Sequence, residues 1–168
     1  MTIARTCSVF ALALTFACGG PDAKGPKLTP GDMPSGESWS GVYYHPSFGY
    51  LHLVEEGQSV VGRWKSTDQS HWGELSGTKI GNVLHYTWKE HKIGLVGAAS
   101  ETRGRGYFQY KMGKENPIAE LDGQFGLNEN ESGSEWHNIK QVGRQPDLKS
   151  VTADVPGVTG PGSTSNWQ

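Results

Sequence analysis

Cysteine is nearly absent from this chain, and the little there is lies at one end: Cys7 and Cys18 are the only two in 168 residues. That excludes a fold stapled by disulfides. An excess of one charge is missing too, with 15 Lys and Arg against 17 Asp and Glu and a net charge of -2. The lack of a basic stripe argues against a nucleic-acid partner. The lack of a polybasic cluster after Cys18 argues against electrostatic lipid binding. No apolar run reaches the roughly 20 residues that a membrane-spanning helix needs. Gly-x-Ser-x-Gly elbows, phosphate-binding loops and Cys–His pairs are absent, so no enzymatic role, cofactor or metal is expected. Helix is disfavoured by the 24 glycines, each of which costs roughly 1 kcal/mol against Ala in a helix interior.

What is abundant is alternation. In residues 50–56, Leu51 and Leu53 share one face, with Tyr50, His52 and Val54 on the other. This period of two is that of a half-buried strand. Gly57 supplies a turn, and in residues 60–65 Val60, Gly62 and Trp64 alternate with Val61, Arg63 and Lys65. The pair reads as a hairpin. The pattern repeats over residues 72–78, turns at Ile80-Gly81-Asn82, and resumes over residues 83–90 with Leu84, Tyr86 and Trp88 on one face. It lapses in an apolar, glycine-containing run over residues 93–100. It returns over residues 104–111 and 118–126, and after a polar loop over residues 128–133 it ends in residues 135–142 with Trp136 inward. Turn signals at this spacing predict an all-β fold: an antiparallel up-and-down meander of about eight strands forming a small barrel over residues 39–142.

The flanks have a different composition. Residues 1–17, with Arg5 followed by the short apolar run Val9 to Ala17, read as a signal peptide. Thr15-Phe16-Ala17-Cys18 resembles the lipobox of bacterial lipoproteins. That resemblance implies cleavage before Cys18, its lipidation, and attachment to the cell envelope through acyl chains. Gly19 rather than Asp follows Cys18, which in the same family implies the outer membrane. The alternative is an ordinary secreted protein released to the periplasm. Residues 18–38 carry Pro21, Pro26, Pro30 and Pro34 and little that is apolar, and predict a flexible tether. About 20 such residues reach on the order of 25 Å. Residues 143–168, rich in Pro, Gly, Ser and Thr, predict a disordered tail.

The inward faces are Trp39/Gly41/Tyr43, Leu51/Leu53, Val60/Gly62/Trp64, Leu75/Gly77, Leu84/Tyr86/Trp88, Gly106/Phe108/Tyr110, Leu121/Gly123/Phe125 and Trp136. Glycine and aromatics alternating inside a meander of this length resemble the small calycin-type barrels, of which avidins and lipocalins are examples. The resemblance implies a lumen that takes a small apolar or amphipathic ligand, with Trp39, Tyr43, Trp64, Trp88, Phe108, Tyr110 and Trp136 as its candidate lining. No biotin site carries over, since the corresponding segment here is Tyr43-Tyr44-His45-Pro46-Ser47. Eight strands enclose either a core of their own side chains or one small ligand. If the rings fill the room the glycines leave, the barrel is instead a packed-core envelope module for protein interaction or enzyme inhibition.

The titratable residues offer less. His52, His85 and His137 fall on outward faces at a spacing that matches no ligand motif. Glu55 and Glu56 are adjacent in a strand and point apart, and read as a solvated turn. The run 93–99 is either an exposed apolar rim or a plug that folds in.

Overall fold

The computed structural model describes residues 28–151. Residues 1–17, expected as a signal peptide, Cys18, the first part of the expected tether and residues 152–168 of the expected tail lie outside the described residues. Eight strands follow in order: β1 (Gly41–His45), β2 (Gly49–Glu56), β3 (Ser59–Lys65), β4 (His71–Ile80), β5 (Val83–Lys92), β6 (Glu101–Met112), β7 (Ala119–Leu127) and β8 (Ser134–Lys140). Each pairs antiparallel with the next, and β8 returns to β1, so the meander closes into a barrel. The closing ladder is short, with Tyr43 opposite Lys140 and Tyr44 opposite Ile139.

Burial follows the period of two. In β2 Leu51 and Leu53 are buried while Tyr50 is exposed, and in β3 Val60, Gly62 and Trp64 are buried between half-buried neighbours. One core fills the barrel, from Trp39 and Tyr43 at one end to Trp64, Trp88 and Trp136 toward the other. The strands overrun the expected bounds chiefly around the 93–100 run, where β5 extends to Lys92 and β6 starts at Glu101. Only a single 3-10 turn, Ala98–Ser100, interrupts that connection.

The register explains the glycines. Gly73 lies opposite Trp64, Gly104 opposite Trp88 and Gly106 opposite Tyr86. Gly123 lies between Phe108 on β6 and Trp136 on β8. A Cβ on Gly73 would sit 2.1 Å from the Trp64 ring, and one on Gly106 would sit 2.6 Å from Tyr86. On Gly104 and Gly123 a Cβ would first meet a neighbouring strand's carbonyl, that of Gly126 or Tyr107, at 1.9 Å, and then the Trp88 or Phe108 ring at 2.9 or 2.8 Å, so the space each glycine leaves is taken.

Both flanks depart from expectation where they are described. The last part of the expected tether is stitched across one mouth of the barrel. Gly31 donates its N–H to Asn82 Oδ1 at 2.7 Å and accepts the Asn82 N–H at 3.0 Å. Ser38 Oγ and the Trp39 N–H both donate to Glu55, at 2.9 and 3.0 Å. Lys79 bonds the same carboxylate. Glu55 is thus a clamp rather than part of a solvated turn. Residues 143–151, expected as the start of a disordered tail, lie against the outer wall. Val151 is buried, the Asp147 N–H donates to His52 Nδ1 at 2.9 Å, and Arg144 stacks over the Tyr50 ring. Few apolar residues are needed for either attachment, because backbone groups and single polar side chains carry them.

Candidate functional site

All seven lumen candidates point inward, and the barrel sorts them into two groups. Trp39, Tyr43 and Tyr110 close the mouth where residues 28–40 cross. The Trp39 and Tyr110 rings meet edge to face at 5.5 Å, and Tyr43 donates its hydroxyl to the Trp39 carbonyl at 3.1 Å. Glu37 accepts from Tyr110 and from Lys140, the latter at 2.8 Å. The Lys140 bond, then the Tyr110 bond, holds the Glu37 carboxyl below its usual range. Burial, and then the bond to Glu37, pushes the Tyr110 hydroxyl well above the usual phenol range.

Trp64, Trp88, Phe108 and Trp136 belong to the other half. Trp136 is the hub, 5.2 Å from each of Trp64, Phe108 and Phe48 and 5.6 Å from Phe125. Phe48 comes from the β1–β2 turn and caps this end. His45 holds the turn by accepting the Ser47 and Phe48 N–H groups on Nδ1, at 3.0 and 3.2 Å. The interior is therefore a close-packed aromatic cluster.

Polar groups are nevertheless buried within it. Asn138 is fully buried, and neither its Oδ1 nor its Nδ2 has a hydrogen-bond partner among the described residues. The same holds for Tyr86 Oη, Trp136 Nε1 and Trp39 Nε1. Burial pushes the Tyr86 hydroxyl well above its usual range. Trp88 Nε1 differs, donating to the Arg105 and Gly126 carbonyls at 3.1 and 3.2 Å. Asn138 was missed as a site residue from sequence. Its one signal was parity: it lies two residues beyond the inward Trp136 on the same strand.

Two grooves stand out on the outer wall among the described residues. The larger, about 920 Å³, runs over the outward face of β3–β6 between Leu148 on one side and Asn128 and Glu129 on the other. Arg63, Glu74, Lys89 and Arg103 are direct cross-strand neighbours there. The smaller, about 320 Å³, covers β6–β8 beside Leu28. In it Asp122 pairs with His137 and, at 2.9 Å, with Lys111. Burial raises the Asp122 carboxyl, but the bonds from Lys111 and His137 outweigh it and hold the group below its usual range. The groove lining offers this His–Asp pair no serine, threonine or cysteine to activate.

The outward histidines are dispersed. His52, His85 and His137 lie on β2, β5 and β8, no two of which are adjacent. Each has its own partner: the Asp147 N–H, Glu131 at 3.2 Å, and Asp122. Among the described residues no group of three His, Cys, Asp or Glu could hold a metal ion. The 93–99 run stands out from the rim rather than folding in, with Val96 88 % and Leu95 54 % exposed.

The closed eight-stranded antiparallel barrel is consistent with a calycin-like fold. In comparisons with known proteins, no family model matches this chain, and no match was found among curated proteins or solved structures.

Proposed function

We propose that this chain is a lipid-anchored, non-enzymatic module of the bacterial cell envelope whose packed barrel engages an envelope protein through its outer wall. The observation that carries this reading is the pairing of Trp64, Tyr86, Trp88, Phe108 and Trp136 with facing glycines. Rings occupy the room that glycines leave, and the sizeable grooves lie outside. The lipobox-like Cys18 supports the anchor, and Gly19 after it supports the outer membrane.

Native mass spectrometry of the full chain, purified gently from its own host, tests this. The expected result is an acyl increment at the amino terminus that is lost in Cys18→Ser, with no dissociable small molecule. A small-molecule increment that persists in Cys18→Ser would overturn the packed-module reading.

That second reading, an amphipathic ligand in the lumen, is favoured by one observation: Asn138, Tyr86, Trp136 and Trp39 bury polar atoms without partners. Such groups cost about 1–3 kcal/mol each when left unpaired, and a ligand with polar atoms would relieve that cost.

A further inference from the structure

We infer that the β3–β6 groove is a docking site for an extended acidic peptide segment of a partner protein, with an apolar residue at one end. The inference rests on the packed-module reading and names the face that module uses.

The floor is built from two rows of outward side chains that cross the strands. One row is Arg63, Glu74, Lys89 and Arg103; the other is Val61, Ser76, Thr87 and Arg105. The outside of a barrel is ordinarily convex. Here the strap over residues 147–151 on one side and the β7–β8 loop on the other raise walls beside it. Arg63 fastens the strap by donating to the Leu148 carbonyl at 3.4 Å.

Charge is in excess within this groove. Its lining carries Arg63, Lys89, Arg103 and Arg105 against the carboxylates of Glu74 and Glu129, in a chain whose net charge is -2. The existing pairs are long or solvent-exposed. Arg63–Glu74 and Lys89–Glu101 are each separated by 3.7 Å. Arg105 bonds Glu129 at 2.7 Å, but through a carboxylate side chain that is 79 % exposed, and exposed pairs contribute little. Arg103 is exposed and has no ion-pair partner among the described residues. Loosely held cations on a rigid sheet are ready to exchange their partners for a ligand's carboxylates.

The distribution selects a peptide over other anions. Val61 and Leu148 give one end an apolar contact beside Arg63, which the strap carbonyl and Glu74 already engage, Ser76 and Thr87 give the middle hydroxyls, and Lys89, Arg103 and Arg105 make the far end cationic. Strands spaced about 4.8 Å apart put roughly 15 Å between the β3 and β6 sides, the span of four or five extended residues. A uniformly charged polymer would meet Glu74 in mid-row and Glu129 at the lip. A flat bilayer would not reach a floor recessed between two walls.

The test is backbone-amide NMR on the full chain carrying Cys18→Ser. The probes are a synthetic acetyl-Leu-Ser-Thr-Asp-Glu-Asp amide, its Lys-for-acid counterpart, and phosphatidylglycerol vesicles. The expected result is salt-sensitive shifts from the acidic peptide confined to residues 61–63, 74–76, 87–89 and 103–105. Binding should weaken about tenfold in the Arg103→Glu/Arg105→Glu double variant, the loss of two exposed charge pairs each within the usual range. The same variant should gain affinity for the basic peptide, and unchanged dispersion of its other amides reports its folding. Shifts elsewhere, equal binding of both peptides, binding of vesicles alone, or indifference to the double variant would overturn the inference. If instead the acidic peptide fails while a host partner cross-links to another face, this site is wrong and the packed-module reading stands. A lumen-bound small molecule would remove that reading itself.

Discussion

Gly73 on β4 faces Trp64 on β3 so closely that a Cβ would lie 2.1 Å from the indole ring. The two act as one packing unit, and neither can change size alone. Gly73→Ala should therefore destabilise the barrel by about 1–3 kcal/mol, the usual cost of overpacking a filled core. Thermal and urea denaturation measure it. A change within about 0.5 kcal/mol, as at an unconstrained surface site, would mean that the ring has room to move.

Asn138 gives the opposite expectation. Its side chain is fully buried and its amide atoms have no partners among the described residues. Replacing an unpaired polar group with an apolar one of similar shape is neutral or stabilising. Asn138→Leu should leave the urea midpoint unchanged or raise it. A loss above about 2 kcal/mol would reveal that the amide is satisfied in solution, and would strengthen the lumen-ligand reading.

Acid should weaken the barrel in two steps. Burial lowers the pKa of His45 and His52 below the usual 6.5, and each accepts a backbone N–H on Nδ1. The unfolded chain then takes up protons first, so stability falls as pH drops from about 6.5 through the folded values. Glu37 and Glu55 are also held below their usual 4.5, so their contribution is present above that value and is lost as pH falls further. Urea midpoints at a series of pH values check the order, and imidazole NMR titration assigns the first step. A midpoint that stays flat from neutrality to pH about 5 would contradict it.

Glu55 should matter more than a turn residue does. It holds Ser38, the Trp39 N–H and Lys79. Glu55→Ala should cost about 1–3 kcal/mol by leaving these donors unpaired. It should also speed hydrogen exchange at the Trp39 amide while the β4–β5 ladder stays protected. Exchange accelerated uniformly would point to global rather than local loosening.

Where the chain repeats itself, the sequence was legible. Leu51/Leu53 and Val60/Gly62/Trp64 alternate because one side of each strand meets water and the other meets the core, and that alone led to eight strands and a closed barrel. The seven lumen candidates followed from the same parity. What parity could not carry was anything that depends on non-local polar bonds. Gly31 with Asn82, Ser38 with Glu55, and Asp147 with His52 are single contacts between distant residues, and proline-rich composition hid them. The outer groove was hidden for a related reason. Arg63, Glu74, Lys89 and Arg103 sit in a line only because of the register, and the walls come from segments that read as loop and tail. Asn138 looked like any polar strand residue until its face was known.

The seam between β1 and β8 bears on how the barrel is built in time. Every other strand pair joins neighbours in sequence, so the sheet can be laid down hairpin by hairpin with little loop entropy to overcome at each step. The seam alone joins the two ends of the meander, through Tyr43–Lys140 and Tyr44–Ile139. Closing it waits on nearly the whole domain, and such distant contacts are what slow the folding of β proteins. The curled but unclosed sheet that precedes it leaves β1 and β8 with unpaired edges, so the interval before closure is when this chain is most exposed to pairing with another copy of itself.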